Sequence, residues 1–376
     1  MQLGFNYAWS RNAYSGDFGP DFNVGQDEWN ENNRRAAKGD LAAIPPHKLF
    51  DFLAQNLNDL RGLGFRVVRW FILGNGNAYG GAPRRLTTGV GAFDYDWDFT
   101  PPAVVDIRFR RDFAALLTAF KAADMQLLPS FIDFKLGSRL LAGPGANGTF
   151  YGARADVIRD AKKRAVFLDT VLAELLAASK PFAAQIYAWE VINEPFWLCN
   201  SFGALALNPP FSHKPEVTAS QMKSFLAEAN SRIEGAGFKS TVGHRYFNDL
   251  SVYPSGRVRQ FHYYAKHAPL GYSDPSRIQG GHLFDVKPPP VLGEFESDRN
   301  LNGSAWPELS AGDTTLARLR LLESEGCDLA LIWPDIPDSS SLVGSKDVIK
   351  LSNDARRQVA VFTNGVVPPP DRAAPL

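Results

Sequence analysis

Two glutamates at the ends of predicted strands are the residues best placed to do chemistry. Glu194 ends the segment Trp-Glu-Val-Ile-Asn-Glu-Pro (189–195), and Glu294 lies in Val-Leu-Gly-Glu-Phe (291–295) after three prolines. Two carboxyl groups that meet across one sugar ring can cleave a glycosidic bond, because one protonates the leaving oxygen and the other attacks the anomeric carbon or activates water. A lone strand-end glutamate is usually a solvated rim residue or an ion-pair partner. The two similar contexts together favour chemistry.

Eight apolar runs supply the strands that would position these residues. They alternate with stretches of helical periodicity, and strands that alternate with helices pair in parallel through right-handed crossovers. Eight strands in this order predict a closed (β/α)8 barrel, with a doubly wound open sheet as the alternative. The predicted strands are 3–8, 65–72, 126–133, 185–192, 240–246, 258–264, 290–294 and 328–333, and the helices lie near 47–63, 110–123, 156–179, 218–235, 312–325 and 345–361.

The loop lengths indicate which end of the barrel carries the site. Segments of about 9–46 and 73–109 follow the first two strands, and 195–217 follows the fourth, whereas the segments before strands are short. Barrels build their active sites from the loops at the carboxyl ends of the strands. We therefore expect residues 1–376 to form one α/β catalytic domain, a TIM barrel with long βα loops at its carboxyl face. The long loops favour a pocket and short substrates.

Two further acidic residues compete with the chosen pair. Glu190 precedes Glu194 by four residues, which places it about 13 Å further down a strand that rises roughly 3.3 Å per residue. It is expected in the barrel interior, paired with a cation. Glu296 lies two residues beyond Glu294 and is the alternative nucleophile if it reaches the same cleft.

Composition limits the classes of function. The 376 residues contain 40 basic and 40 acidic side chains, so the net charge of +0 favours neither nucleic acid nor an anionic membrane as partner. The histidines form no His-Glu-x-x-His pair, and the glycine-rich segment 74–80 after strand two lacks the Gly-x-Gly-x-x-Gly spacing, so no metal or cofactor is expected. Cys199 and Cys327 fall at opposite ends of the predicted barrel and are expected to be free thiols. Nothing in the sequence fixes the oligomeric state.

The amino terminus bears on the expected location. Met1 leads into a short strand pattern without the basic start and apolar stretch of a signal peptide. A cytoplasmic protein is therefore expected, or a secreted one if a leader has been removed from the chain.

The two glutamate motifs resemble clan A of the glycoside hydrolases, most closely family 5. That family carries Asn-Glu-Pro with the acid/base on strand four and Gly-Glu with the nucleophile on strand seven. The matching residues are Asn193-Glu194-Pro195 and Gly293-Glu294. The resemblance extends over most of the predicted barrel, although only the strand ends match specifically.

Other strand ends match the same family. Arg69 stands where members place an arginine beside the nucleophile, His262 and Tyr264 match a His-x-Tyr on strand six, and Trp333 matches the tryptophan that floors the sugar site. Asp133 departs from the pattern, since many family 5 enzymes have a histidine at the end of strand three. Clan membership is therefore better supported than family membership.

The resemblance implies a retaining β-glycosidase that acts on an oligo- or polysaccharide: a β-glucan, a β-mannan or a shorter β-glucoside. Retention implies carboxyl groups about 5–5.5 Å apart and a covalent glycosyl-enzyme. Arg69 and Tyr264 would favour the ionised form of Glu294, whose charge is expected to raise the pKa of Glu194. Asn193 would bind the sugar 2-hydroxyl.

Alternatives remain open at this level. Trp197, close after Glu194, is either a wall of the sugar site or a packing residue of its loop. A transglycosylase would use the same two carboxylates and pass the sugar to an acceptor other than water. A carbohydrate-binding pseudoenzyme would bind sugar without turnover, although both carboxylates are intact.

Overall fold

The computed structural model describes most of the barrel and parts of its loops. The described residues are 1–7, 49–74, 84–85, 97–98, 107–138, 143–144, 150–152, 154–199, 215–264, 283–285, 287–297, 306, 309, 312–333 and 351–365. The predicted loops 9–46 and 73–109 lie largely outside these residues. None of the helices described is both long and apolar enough to cross a bilayer.

Eight parallel strands form the sheet at the centre of the molecule. They are β1 (Gln2–Asn6), β2 (Phe65–Phe71), β3 (Gln126–Asp133), β4 (Trp189–Asn193), β5 (Ser240–Gly243), β6 (Gln260–Tyr263), β7 (Val291–Glu296) and β8 (Leu329–Trp333). Their order is β6-β7-β8-β1-β2-β3-β4-β5. A parallel bridge between His244, just after β5, and Phe261 of β6 closes the ring. The predicted (β/α)8 barrel is therefore confirmed, and the open sheet is excluded.

Helices follow most strands and cover the outside of the barrel. They are α1 (Leu49–Gly62), α2 (Ile107–Ala123), α3 (Asp156–Arg159), α4 (Ala161–Phe167), α5 (Ala173–Ser179), α6 (Phe196–Cys199), α7 (Ala219–Gly235), α8 (Asp249–Val252), α9 (Thr315–Ser324) and α10 (Asn353–Asn364). Shorter elements are the 3₁₀ turns Phe134–Leu136 and Lys180–Gln185, the π-helical turn Leu168–Leu172, and two antiparallel pairs, Arg84–Arg85 with Trp97–Asp98 and Gly143–Pro144 with Phe150–Tyr151.

Several predicted element bounds are wrong, for local reasons. The single helix predicted at 156–179 is broken at Asp160, whose extended backbone (φ −88°, ψ 118°) lets its carboxylate cap α4 by accepting from the N–H groups of Lys162 and Lys163. The helix predicted at 345–361 overlaps α10, which begins after its cap Ser352 and ends at Asn364, before Gly365, where φ is 66°. Strand four begins at Trp189 instead of 185, since Gln185 ends a 3₁₀ turn and Ile186 forms only an isolated bridge with Leu127.

The barrel interior is apolar at one end and polar at the other. A buried apolar layer inside it is made of Val67, Leu128, Val291, Leu329 and Leu331. Alternate residues of a strand face the same side, so the side chains two positions further along β2 and β3 follow above this layer. Those residues are the buried Arg69 and Ser130. Polar groups therefore concentrate toward the carboxyl ends of the strands.

Candidate active site

Arg69 organises the deepest part of the site. Its Nε and Nη2 each donate to one oxygen of Glu190 at 2.7 Å, and its Nη1 donates to Glu294 Oε1 at 2.5 Å. The remaining bonds go to Asn6 Oδ1 at 3.0 Å and Asn193 Oδ1 at 2.7 Å. We refer to Arg69, Asn6, Glu190, Asn193 and Glu294 as the Arg69 cluster. A planar guanidinium with five donors suits this set of acceptors.

Glu190 acts within this cluster as a structural partner. Besides the two bonds from Arg69, its carboxylate accepts from Ser130 Oγ and from Gln260 Nε2, both at 2.6 Å. The prediction that Glu190 lies inside the barrel and is paired is confirmed. Burial alone would lower the pKa of Arg69, but the charges of Glu190 and Glu294 raise it above its usual value. Arg69 therefore stays a cation.

Glu294 is held from a second side by Tyr264, whose hydroxyl donates to Oε2 at 2.6 Å. Burial and the charge of Glu294 raise the pKa of Tyr264 well above its ordinary value, so the hydroxyl keeps its proton and remains a donor. The preceding residue must be glycine for steric reasons, since a Cβ at Gly293 would lie 2.5 Å from Gln260 Nε2. The absence of a side chain at Gly293 thus leaves room for Gln260 to reach Glu190.

A different set of groups surrounds Glu194. The Nδ1 atom of His262 lies 3.0 Å from Glu194 Oε1 and 3.4 Å from Glu294 Oε2, so the ring bridges the two carboxylates. The indole Nε1 of Trp197 donates to Glu194 Oε2 at 2.5 Å. Arg245 covers that indole, with its Cζ 3.5 Å from the ring centroid. We refer to Glu194, His262, Trp197 and Arg245 as the Glu194 cluster.

The backbone of Glu194 is unusual. Its φ of 46° is in the left-handed region, which a non-glycine residue rarely adopts. Its N–H donates to the carbonyl of Gly243 at 2.7 Å, and Pro195 follows directly. Strained backbone of this kind is common at functional sites. The turn aims the Glu194 side chain across the end of the barrel.

The protonation of Glu194 differs from the expectation. Burial raises its pKa, but the hydrogen bond from His262, the charges of Arg245 and His262 and the bond from Trp197 outweigh burial and lower it to about 2. The expectation of a raised pKa for Glu194 is therefore wrong, because the net change is downward. The groups around Glu194 are the physical reason, and one of them, Arg245, was not singled out from the sequence.

The carboxyl groups of Glu194 and Glu294 lie close together. One oxygen of Glu194, one oxygen of Glu294 and a ring nitrogen of His262 all lie within 4.8 Å of one another. These residue types can bind metals, but Arg69, Tyr264 and Trp197 already donate to the carboxylate oxygens. That occupancy favours proton transfer and nucleophilic work over metal binding.

Glu296, the alternative nucleophile, does not belong to this trio. It ends β7 and is buried, with its side chain 1% exposed. Its backbone carbonyl accepts from Arg318 at 2.6 Å. Glu294 therefore remains the better candidate.

Asn193 is fixed at both ends of its amide. Its Oδ1 accepts from Arg69, and its Nδ2 donates to Asp133 Oδ2 at 2.7 Å. Burial raises the pKa of Asp133 to about 7, although its bonds from Asn193 and from the Lys135 backbone act in the opposite direction. The second hydrogen on Nδ2 can still bind a ligand hydroxyl. Asp133 thus acts by orienting Asn193.

The remaining site predictions have mixed outcomes. Trp197 contacts Glu194 directly, a donor role that neither of its two predicted roles included. Trp333 ends β8 opposite Glu296 of β7 and is partly exposed, and its role as a sugar platform stays a prediction. Sequence reasoning missed Arg245 and Asn6. The only signal for either was its place at a strand end. The described cysteines are both free, as predicted.

In fold and layout, the molecule is a (β/α)8 barrel with a polar cluster that contains two carboxylates at the carboxyl ends of its strands. Solved structures share this architecture. The β-mannanase of the blue mussel Mytilus edulis superposes with a TM-score of 0.56 at 14% sequence identity, over 98% of this chain and 93% of that one.

Two further structures extend the comparison. The β-1,4-mannanase of the common sea hare Aplysia kurodai gives a TM-score of 0.55 at 16% identity, over 98% of this chain and 95% of that one. GH5_18 from Streptomyces cattleya, in complex with Manβ1-4GlcNAc, gives 0.53 at 15% identity, over 98% and 83%. At these identities the likeness establishes the fold. No protein-family model and no curated protein matches the sequence.

Proposed function

We propose that this protein is a retaining β-glycosidase of clan A, with Glu294 as nucleophile and Glu194 as acid/base. The observation that carries the proposal is the approach of the two carboxylates, whose nearest described oxygens lie within 4.8 Å. Retaining enzymes hold these groups about 5–5.5 Å apart, whereas inverting enzymes leave room for a water at 6.5–9.5 Å. The spacing supports direct attack by Glu294 on the sugar.

The first step uses the fixed geometry of Glu294. Arg69 and Tyr264 orient one oxygen each, and the carboxylate attacks the anomeric carbon. The bond from that carbon to the leaving oxygen breaks, and Glu194 protonates that oxygen. The product is a glycosyl ester of Glu294.

The proton for this step is held jointly by Glu194 and His262. With the imidazolium as donor, Nδ1 lies 3.0 Å from Glu194 Oε1, so one transfer along this bond gives neutral imidazole and a carboxylic acid. The groups around Glu194 lower its pKa, so the acid form of Glu194 depends on this transfer. A sugar that excludes water between the carboxylates raises the cost of that ion pair and favours the neutral pair.

The second step reverses the proton flow. Glu194, now a carboxylate, takes a proton from water while the water oxygen bonds to the anomeric carbon. The bond from that carbon to Glu294 breaks, and its electron pair returns to the Glu294 carboxylate. The sugar leaves with the anomeric configuration it had at the start.

The names of the structural neighbours suggest which substrates to test first. Structural neighbours are named as mannanases, and an exo-β-1,4-mannosidase of Opitutaceae bacterium strain TAV5 superposes with a TM-score of 0.52. These names make β-mannosides the first substrates to test, before β-glucosides and β-glucans. Asn193 Nδ2 keeps a second hydrogen that can be donated to a sugar hydroxyl, and the Tyr264 hydroxyl oxygen can accept from one.

The test is the stereochemical course of hydrolysis. Aryl β-mannosides and β-glucosides are incubated with the protein, and proton NMR follows the first sugar anomer released. We expect the β-anomer first. Release of the α-anomer would overturn the retaining mechanism. Products longer than a mannooligosaccharide substrate would identify a transglycosylase, and binding without turnover would identify a pseudoenzyme.

A further inference from the structure

Arg245 is a buried cation that the two-carboxylate mechanism leaves without a role. It lies two residues beyond the end of β5 and is only 6% exposed. Its Nε donates to the Tyr246 hydroxyl at 2.7 Å, and its Cζ lies over the Trp197 ring, 3.5 Å from the ring centroid. Such cation–π contacts are stronger when desolvated.

The indole transmits this contact to Glu194. Trp197 donates from Nε1 to Glu194 Oε2 at 2.5 Å, so one side chain touches both Arg245 and the acid/base. The end of β5 also holds the Glu194 backbone, because the carbonyl of Gly243 accepts the Glu194 N–H. Arg245 and the strained Glu194 turn are therefore anchored to the same strand end.

Charged and titratable side chains surround Glu194. Its titratable and charged neighbours are His262, Arg245, Glu294, Tyr264, Asp133 and Tyr246. Arg69 bonds to Glu294 and Glu190, whereas Arg245 is a permanent cation that faces Glu194. A cation beside a carboxylate favours the ionised form.

We propose that Arg245 is a positioning residue that acts through the Trp197 indole to hold Glu194 as a carboxylate for breakdown of the glycosyl-enzyme. This inference rests on the proposed function. In the first step Glu194 must carry a proton, and the positive charge of Arg245 opposes this protonated form. In the second step Glu194 must accept a proton from water, so the cation assists it. Arg245 thus biases the enzyme toward rapid release of the sugar.

The test compares Arg245→Met with Arg245→Lys on 2,4-dinitrophenyl β-mannoside, whose good leaving group makes the second step limiting. For Arg245→Met we expect kcat to fall about tenfold while kcat/KM changes by less than about threefold. We also expect the acid limb of the kcat profile to move upward by about one pH unit, since loss of a nearby cation raises the pKa of a carboxyl group. Arg245→Lys should keep the limb in place.

Controls separate a structural role from the proposed one. Arg61→Met removes an arginine whose side chain is 44% exposed on α1 and should leave kcat and both pH limbs unchanged. If Arg245→Met does not fold, Arg245→Gln replaces it and should give the same limb shift. Equal losses in kcat and kcat/KM with unmoved limbs would overturn the inference.

The same experiment distinguishes two kinds of failure. In one outcome the unaltered protein releases dinitrophenolate with retention while the acid limb of the kcat profile stays in place in Arg245→Met and Arg245→Gln. In that case only the role of Arg245 is wrong. If the unaltered protein hydrolyses no aryl β-mannoside or β-glucoside, the proposed function is wrong and the inference falls with it.

Discussion

The Arg69 cluster and the Glu194 cluster face the same space, but their neighbours differ in kind. Every member of the Arg69 cluster lies on a barrel strand, so sheet register fixes the whole set. In the Glu194 cluster only His262 lies on a strand, while Glu194, Trp197 and Arg245 follow strand ends. One carboxylate is therefore held by the scaffold, and the other by a turn and its side-chain contacts.

This difference matches the two roles. A nucleophile must stay ionised and aligned, and Glu294 receives bonds from a permanent cation and a hydroxyl that keeps its proton. An acid/base must change its protonation state during each turnover. Glu194 has a titratable partner, His262, at 3.0 Å. Rigid pairing on one side and an exchangeable proton on the other are what the proposed reaction needs.

The largest effect is expected from Glu294→Ala. Without the nucleophile no glycosyl-enzyme forms, so turnover of every β-glycoside should fall to background. Azide should restore activity by attacking the sugar directly, and the product should be the α-glycosyl azide. NMR of the product checks this. A β-azide would reverse the assignment of the two carboxylates.

The Arg69 cluster is tested next by Arg69→Met. Removal of one partner from a buried ion pair leaves the carboxylates of Glu190 and Glu294 uncompensated, which costs about 3–5 kcal/mol of unfolding free energy. Urea titration measures the loss. Arg245→Met, which leaves the Arg69 cluster intact, is the matched comparison and should lose clearly less unfolding free energy. Equal losses would remove the distinction between the clusters.

Glu194→Ala should have an effect that depends on the leaving group. General acid catalysis contributes about 10²–10⁴-fold, so substrates with poor leaving groups should lose this much in kcat/KM. Dinitrophenyl glycosides need no proton and should be spared in the first step. Azide should then give the β-glycosyl azide. Uniform loss across leaving groups would contradict the role of Glu194 as acid.

The smallest effect is expected from Asp133→Asn. Burial raises the pKa of Asp133 from 3.8 to about 7, so the folded protein keeps a proton that the unfolded chain releases. Unfolding free energy therefore falls as pH rises between about 4 and 7. The variant should show a shallower fall, by about 1–3 kcal/mol over that window.

The control for this titration is Asp169→Asn, a substitution at a side chain that is 60% exposed and paired with Arg232 on the surface. It should leave the pH dependence as it is. Stability curves of Asp133→Asn and the unaltered protein that run parallel between pH 4 and 7 would contradict the raised pKa.

The sequence predicted the fold well because alternation of apolar runs and helical stretches is a local signal. All eight predicted strands overlap those of the barrel, and both carboxylates were chosen from strand-end motifs. The broken helix at Asp160 was missed because a single capping residue decides it. Local patterns thus establish the elements better than their ends.

Contacts across the barrel were harder to predict. Asn6 reaches Gly293, 287 positions away, and Arg245 reaches Trp197 from another strand end. Neither residue belongs to a motif, so only the closed register brings them to the site. The charge of Arg245 is also one of the causes that lower the pKa of Glu194.

The most direct measurement is covalent trapping of the intermediate. The protein is incubated with 2-fluoro-β-mannosyl and 2-fluoro-β-glucosyl fluorides, digested, and mapped by mass spectrometry. The account predicts one fluorosugar per chain, attached to Glu294. A label on Glu296 or Glu194, or rapid turnover of substrate with no trapped ester from either reagent, would contradict it.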